Sequence, residues 1–92
     1  MDPTKKVRSS QRCLLTELED GSGVLLHLDT KFYFTLNDTG VFVWNQLVRD
    51  ASSGYELAEQ LSERFEVTAD QAVRDVLSLL TELEANQLIN VA

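Results

Sequence analysis

The chain has 92 residues, of which 43% are hydrophobic and 25% charged, and its formal net charge is −7. This length predicts a single domain, and the hydrophobic fraction is too high for a disordered chain. No apolar run reaches the length of about 20 residues that a membrane span needs. No apolar segment of a secretory signal follows Met1, and the single cysteine excludes an internal disulfide. The negative charge disfavours nonspecific binding to nucleic acid, so we expect a cytoplasmic protein with neither a nucleic-acid nor a membrane partner.

The N-terminal stretch differs from the rest of the chain. Residues 1–11 are polar and basic, lack periodicity and hold three of the eight positive charges. We interpret them as a flexible basic tail or, alternatively, as a short pairing segment. The predicted domain then covers residues 12–92.

Three short apolar segments, each predicted as a β-strand, follow this stretch: residues 12–18, 24–28 and 32–36. The second and third alternate with period two, which is typical of strands. The glycines of Glu19–Gly23 permit a tight turn, and Asp29–Lys31 has the composition of a second turn. Two short connections predict an antiparallel three-stranded meander.

After Leu36 the apolar residues recur at helical spacing. Asn37 is a favourable N-cap, and the first predicted helix runs from it to the residues before Gly54. Two further helices begin with the spacing of a capping box, Ser53 with Glu56 and Thr68 with Gln71. The third helix carries the longest apolar stripe, and residues 86–92 follow it as a last turn or a short extended tail.

Three strands followed by three helices predict an α+β fold in which the helices cover one face of the sheet. A three-stranded meander has two edges, and an edge strand presents unpaired N–H and C=O groups. The aromatic third strand could therefore accept an extended peptide by strand addition, with the wide apolar arc of the third helix beside it. The alternative interpretation is that Phe32 and Phe34 fill the core while Tyr33 covers the other face.

Neither the histidine nor the cysteine of this chain has partners at a spacing typical of a metal or catalytic site. His27, the only histidine, is expected to be a surface or half-buried strand residue rather than a ligand. Cys13 has no basic neighbour in sequence that would activate it and is expected to be a small apolar residue. We therefore expect neither an enzyme nor a bound metal or cofactor.

The acidic residues are numerous but dispersed along the chain. We interpret them as a solvated surface that keeps the domain soluble. An alternative is that this negative surface steers a basic peptide segment toward the domain.

The stretch from Gly23 to Trp44, GVLLHLDTKFYFTLNDTGVFVW, resembles the PqqD-like family. Members have an apolar strand, a turn, an aromatic strand, then Leu-Asn and an apolar helix start with Trp. The resemblance continues through residues 55–65 and 73–89. It implies a small winged-helix-like fold and a non-catalytic adaptor that binds the leader of a ribosomally made precursor peptide. The adaptor then presents the leader to a modifying enzyme, which in this family is a radical SAM enzyme or a leader peptidase.

The resemblance also implies where the leader binds. The family's peptide groove follows the aromatic strand, here Lys31, Phe32, Tyr33, Phe34 and Thr35. Its other wall is the last long helix, for which helical phase suggests Asp70, Val73, Arg74 and Leu77, with Leu80 and Thr81 further along. The Phe-Tyr-Phe sequence departs from members that serve pyrroloquinoline quinone biosynthesis, and it resembles relatives from other peptide pathways.

Two alternatives compete with a peptide-binding adaptor. A winged-helix regulator would bind nucleic acid, but Arg74 is the only basic residue of the third helix. Exposed strand edges could instead join two copies into a homodimer.

Overall fold

The computed structural model describes all 92 residues as two small sheets and three helices. The strands before the first helix are β1 (Lys6–Ser9), β2 (Cys13–Glu17), β3 (Gly23–His27) and β4 (Tyr33–Leu36). The helices are α1 (Asp38–Arg49), α2 (Gly54–Arg64) and α3 (Ala69–Ala85). A two-residue strand, β5 (Ser52–Ser53), separates α1 from α2, and β6 (Ile89–Val91) closes the chain.

The predicted meander and the three predicted helices are confirmed, so the fold is α+β with a winged-helix-like order of elements. The first sheet has the order β2-β3-β4, and both pairings are antiparallel. β3 lies in the middle, which leaves β2 and β4 as the two edges of this sheet.

The register gives the meander two different faces. The inner face carries the cross-strand row Leu15–Leu25–Phe34, and Leu25 is fully buried. The outer face carries two rows with the opposite orientation, Leu14–Leu26–Tyr33 and Thr16–Val24–Thr35. Tyr33 remains 65% exposed, because the helices pack only on the inner face.

The second sheet corrects the interpretation of the N-terminus. Its order is β5-β1-β6, so residues 6–9 form the central strand of a sheet. Val7 is 1% exposed within the core, because β1 fills the space between the start of α2 and the end of the chain. The flexible-tail interpretation is therefore wrong for these residues, and the alternative of a pairing segment is confirmed.

The chain ends as an extended strand rather than as a last helical turn. The Ala92 N–H donates to the Lys6 carbonyl at 2.9 Å. The Lys6 ammonium also lies 3.7 Å from the Glu56 carboxylate at the start of α2. β1 therefore contacts both the last residue of the chain and the start of α2.

Local capping fixes where the helices begin. The Asn37 side chain accepts the Gly40 N–H at 2.9 Å, and Ser53 and Glu56 form both bonds of a capping box. At α3 only half of the predicted box forms: Thr68 accepts the Gln71 N–H, while the Gln71 amide donates to Asp75.

A single core joins the helices, the inner face of the meander and the second sheet. Its largest fully buried side chains are leucines and valines from all of these elements: Val7, Leu25, Val43, Leu47, Leu57, Leu61, Val76, Leu80, Leu83 and Leu88. Leu80 is thus a core residue, which removes it from the predicted groove wall.

Candidate functional site

β4 is an edge strand whose outer side is open. Only β3 pairs with it, and the N-terminal strand β1 pairs elsewhere. The His27 N–H donates to the Phe32 carbonyl at 3.0 Å, which makes this a hydrogen-bonded cross-strand pair. Since hydrogen-bonded and non-hydrogen-bonded pairs alternate along an antiparallel ladder, the backbone groups of Tyr33 and Thr35 point away from β3. These two residues define the open edge.

A buried histidine shapes the turn that leads into this edge. His27 is 5% exposed, more buried than its sequence context predicts. Its Nδ1 accepts the N–H groups of Asp29 at 3.1 Å and Thr30 at 3.4 Å. The turn continues through Lys31, which adopts a positive φ of 62°. His27 is therefore a structural acceptor that positions the start of β4.

Replacing His27 by alanine should lower the free energy of unfolding by about 1–3 kcal/mol, because two turn N–H groups lose their acceptor. Asparagine at the same position keeps an acceptor on a side chain of similar reach, so His27→Asn should retain more stability. Urea unfolding of both variants measures the difference. Equal destabilisation by alanine and asparagine would contradict the acceptor role.

The predicted residues of the strand lie along β4 and the turn that precedes it. Tyr33 and Thr35 are exposed, and Phe32 is 42% exposed. The rings of Phe32 and Phe34 pack together with their centroids 6.4 Å apart. Phe34 is half-buried and packs against the core, as the alternative interpretation of a core-filling strand predicts. Phe32 instead remains accessible. The edge therefore combines free backbone groups with an aromatic surface.

A cleft of about 290 Å³ begins beside the residue that follows β4. We call it the α1–α3 cleft. Its apolar lining comes from all three helices: Val43, Leu61, Val76 and Leu79. Its polar lining is Asn37 and Thr39 on one side and Asp75, Ser78 and Glu82 of α3 on the other. The cleft thus offers an apolar floor with a negatively charged wall.

The structure places the helix residues suggested by phase on other sides of α3. Val73 lines a second cleft of about 280 Å³ with Tyr55 and other residues of α2. A Cβ built on Gly54 would lie 2.9 Å from a Leu77 methyl, which places Leu77 at the start of α2. Asp70 and Arg74 are exposed, as is Thr81. The structure therefore brings none of the suggested helix residues to the α1–α3 cleft.

Sequence reasoning missed the residues of α3 that do line the α1–α3 cleft. Leu79 lies on one flank of the apolar stripe of α3 and Leu77 lies on the other, so the apolar character of Leu79 was a signal that could have identified it. Nothing in the spacing of Asp75, Ser78 and Glu82 distinguished them from other exposed residues of the helix.

The charged and nucleophilic groups near the meander have structural partners. The Arg12 guanidinium donates to Asp29, with one contact of 2.7 Å, and this hydrogen bond lowers the pKa of the Asp29 carboxyl. Burial raises the pKa of the Cys13 thiol, although a hydrogen bond with Ser10 acts in the opposite direction. A thiol with a raised pKa is a poor nucleophile at neutral pH, in agreement with the expected apolar role.

No group of three or more His, Cys, Asp or Glu side chains is arranged to hold a metal ion. None of the three helices is both long and apolar enough to cross a bilayer.

Comparison with known proteins gives both a family and structural neighbours. The family model described as coenzyme PQQ synthesis protein D (PqqD) matches residues 22–89. No curated protein matches the chain. Among solved structures, TbiB1 in complex with the TbiA(beta) leader peptide is 25% identical, with a TM-score of 0.78 over 90% of this chain and 94% of that one. A lasso peptide synthetase B1 complexed with the leader peptide is 27% identical, with a TM-score of 0.75 over 91% and 96%.

The family match spans β3 to the start of β6, and with it the open edge and the α1–α3 cleft. On this match the chain belongs to the PqqD family.

Proposed function

We propose that this chain is a non-catalytic adaptor. It binds the leader of a ribosomally made precursor peptide as an added strand on β4 and presents the precursor to a modifying enzyme. The observation that carries the proposal is the open edge formed by Tyr33 and Thr35 beside an apolar cleft. Main-chain hydrogen bonds to such an edge supply affinity, and pockets for alternate side chains supply specificity.

The comparisons support this role. The two structural neighbours are complexes with leader peptides, and each aligns with at least nine-tenths of this chain. One of them is a lasso peptide synthetase B1, which agrees with the departure of Phe32, Tyr33 and Phe34 from the pyrroloquinoline quinone pattern. We therefore propose a precursor outside that pathway, with a leader peptidase or a radical SAM enzyme as the partner.

The geometry suggests how the leader is seated. Side chains of an added strand alternate between the two faces of the extended sheet. One set would face the aromatic surface of Phe32 and the α1–α3 cleft, and the other would lie beside Tyr33. The wall formed by Asp75 and Glu82 would favour a leader with basic residues near the cleft.

The direct test is a titration with the leader of a candidate precursor found near this chain's gene, followed by backbone amide chemical shifts. We expect shifts along residues 32–36 and at Asp75–Glu82 of α3. An absence of shifts in both regions on titration with that leader would contradict the proposed function.

Replacing Tyr33 by aspartate should weaken leader binding about tenfold, because the variant loses aromatic contact area at the edge. The fold should be unaffected, since Tyr33 is 65% exposed. Fluorescence anisotropy with a labelled leader measures the affinity, and circular dichroism checks the fold.

Tyr55→Asp is the matched control, because Tyr55 is 53% exposed and lines the cleft between α2 and α3. The Tyr55→Asp variant should bind the leader with the affinity of the wild-type chain. Weakened binding by the Tyr55 variant alone would move the site from β4 to that second cleft.

A further inference from the structure

The outer face of the meander has an unusual composition for a surface exposed to solvent. Its two central rows, Leu14–Leu26–Tyr33 and Thr16–Val24–Thr35, contain no charged residue, although a quarter of the chain is charged. The adjoining charge on this face is Arg12, opposite Leu28, and it is paired with Asp29. Antiparallel sheets with one solvated face usually alternate apolar and polar residues, with the polar residues outside. Here Leu14 is 56% exposed, and no element covers the face.

Strand propensity does not account for these side chains. Threonine, valine and tyrosine favour strands, so Thr16, Val24 and Tyr33 could be present for that reason alone. Leucine has no comparable preference, yet Leu14 and Leu26 are cross-strand partners on this face. A cluster of exposed and half-exposed apolar residues that strand propensity does not explain is a candidate interaction surface.

We propose that the outer face is the docking surface for the modifying enzyme, which contacts it through an apolar, uncharged patch. This inference rests on the proposed function. Tyr33 and Thr35 belong both to the open edge, through their backbone, and to the outer face, through their side chains. A leader strand added at the edge extends the face by one strand, so a protein docked there touches the adaptor and its leader together.

The size of the face argues for the enzyme and against a second copy. Strands of five, five and four residues present about 220 Å² per side, from the usual strand spacing and rise. Two copies packed face to face would cover about twice that flat area, below the roughly 1,200 Å² of accessible surface that a stable interface buries when nothing else joins the copies. A weak contact suffices for the enzyme, because the precursor joins the two proteins and raises their effective concentration.

The test uses the modifying enzyme encoded beside this chain's gene, the full precursor and the labelled leader. Leu14→Glu places a charge on the outer face away from β4, and Thr16→Glu is a second variant on the same strand. Val48→Glu is the matched control, since Val48 is 59% exposed on α1 and lies outside this face. All variants should bind the leader within twofold of the wild-type chain.

We expect Leu14→Glu and Thr16→Glu to weaken binding of the enzyme to the adaptor–precursor complex at least tenfold, with Val48→Glu within twofold of wild type. Biolayer interferometry with the immobilised adaptor measures this affinity. Normal enzyme affinity in both outer-face variants would overturn the docking surface while leaving the proposed function intact. A concentration-dependent dimer that Leu14→Glu dissociates would assign the face to a second copy and overturn it as well. Failure of the wild-type chain to bind the leader would instead contradict the proposed function itself.

Discussion

Replacing Thr35 by proline is expected to reduce leader affinity at least tenfold while the domain remains folded. The Thr35 N–H points to the open edge, so proline removes one donor of the intermolecular ladder and places its ring where the guest backbone would lie. Losing one such hydrogen bond costs about 1–1.5 kcal/mol, which corresponds to about tenfold in affinity. The ladder between β3 and β4 should survive, because Thr35 and Val24 are a non-hydrogen-bonded pair.

Thr35→Val is the control, since valine keeps the N–H and the branched shape of threonine. Titration calorimetry with the leader should give near wild-type affinity for valine and a large loss for proline. Equal affinities of the two variants would show that the peptide does not pair with β4.

Replacing Val7 by aspartate is expected to destabilise the domain by about 3–5 kcal/mol. Val7 is 1% exposed at the centre of the second sheet, and an aspartate there would place an unpaired charge in the core. Domains of this size have a total stability of only about 5–15 kcal/mol, so much of the margin would be lost. Urea unfolding followed by circular dichroism measures the change.

The same substitution at Val91 provides the comparison. Val91 is the cross-strand partner of Val7 but is 58% exposed, so Val91→Asp should cost less than about 1 kcal/mol. If Val7→Asp were equally mild, β1 would be a peripheral segment, and the flexible-tail interpretation of the N-terminus would return.

Local signals explain which parts of the fold could be predicted. The turns at Glu19–Gly23 and Asp29–Lys31 and the caps Asn37 and Ser53 act within a few residues, so the meander and helix starts could be read from the sequence. The second sheet could not, because β5 has only two residues and β1 is paired with strands more than 40 residues away. Strands that short carry little periodicity of their own.

Only the strand half of the candidate site could be predicted from the sequence. The family resemblance directed attention to Lys31–Thr35, which the structure places at the edge of the meander. The residues of the helical wall were predicted from helical phase. Periodicity shows which side of a helix is buried, but it does not show which flank of that side lines a neighbouring cleft. Leu77 and Leu79 stand on opposite flanks of that side of α3, and only the packing of α2 on α3 shows that Leu79 lines the α1–α3 cleft.

The pairing of β1 with β6 also determines how this domain can be joined to other proteins. Because Lys6 and Ala92 are hydrogen-bonded, the start of β1 and the last residue lie side by side, while Pro3 packs at the start of α2, where its carbonyl accepts the Tyr55 N–H. A protein joined to either end would therefore be tethered beside the second sheet. Such an attachment would be made at the second sheet, whereas β4, the strand proposed to bind the leader, belongs to the other sheet.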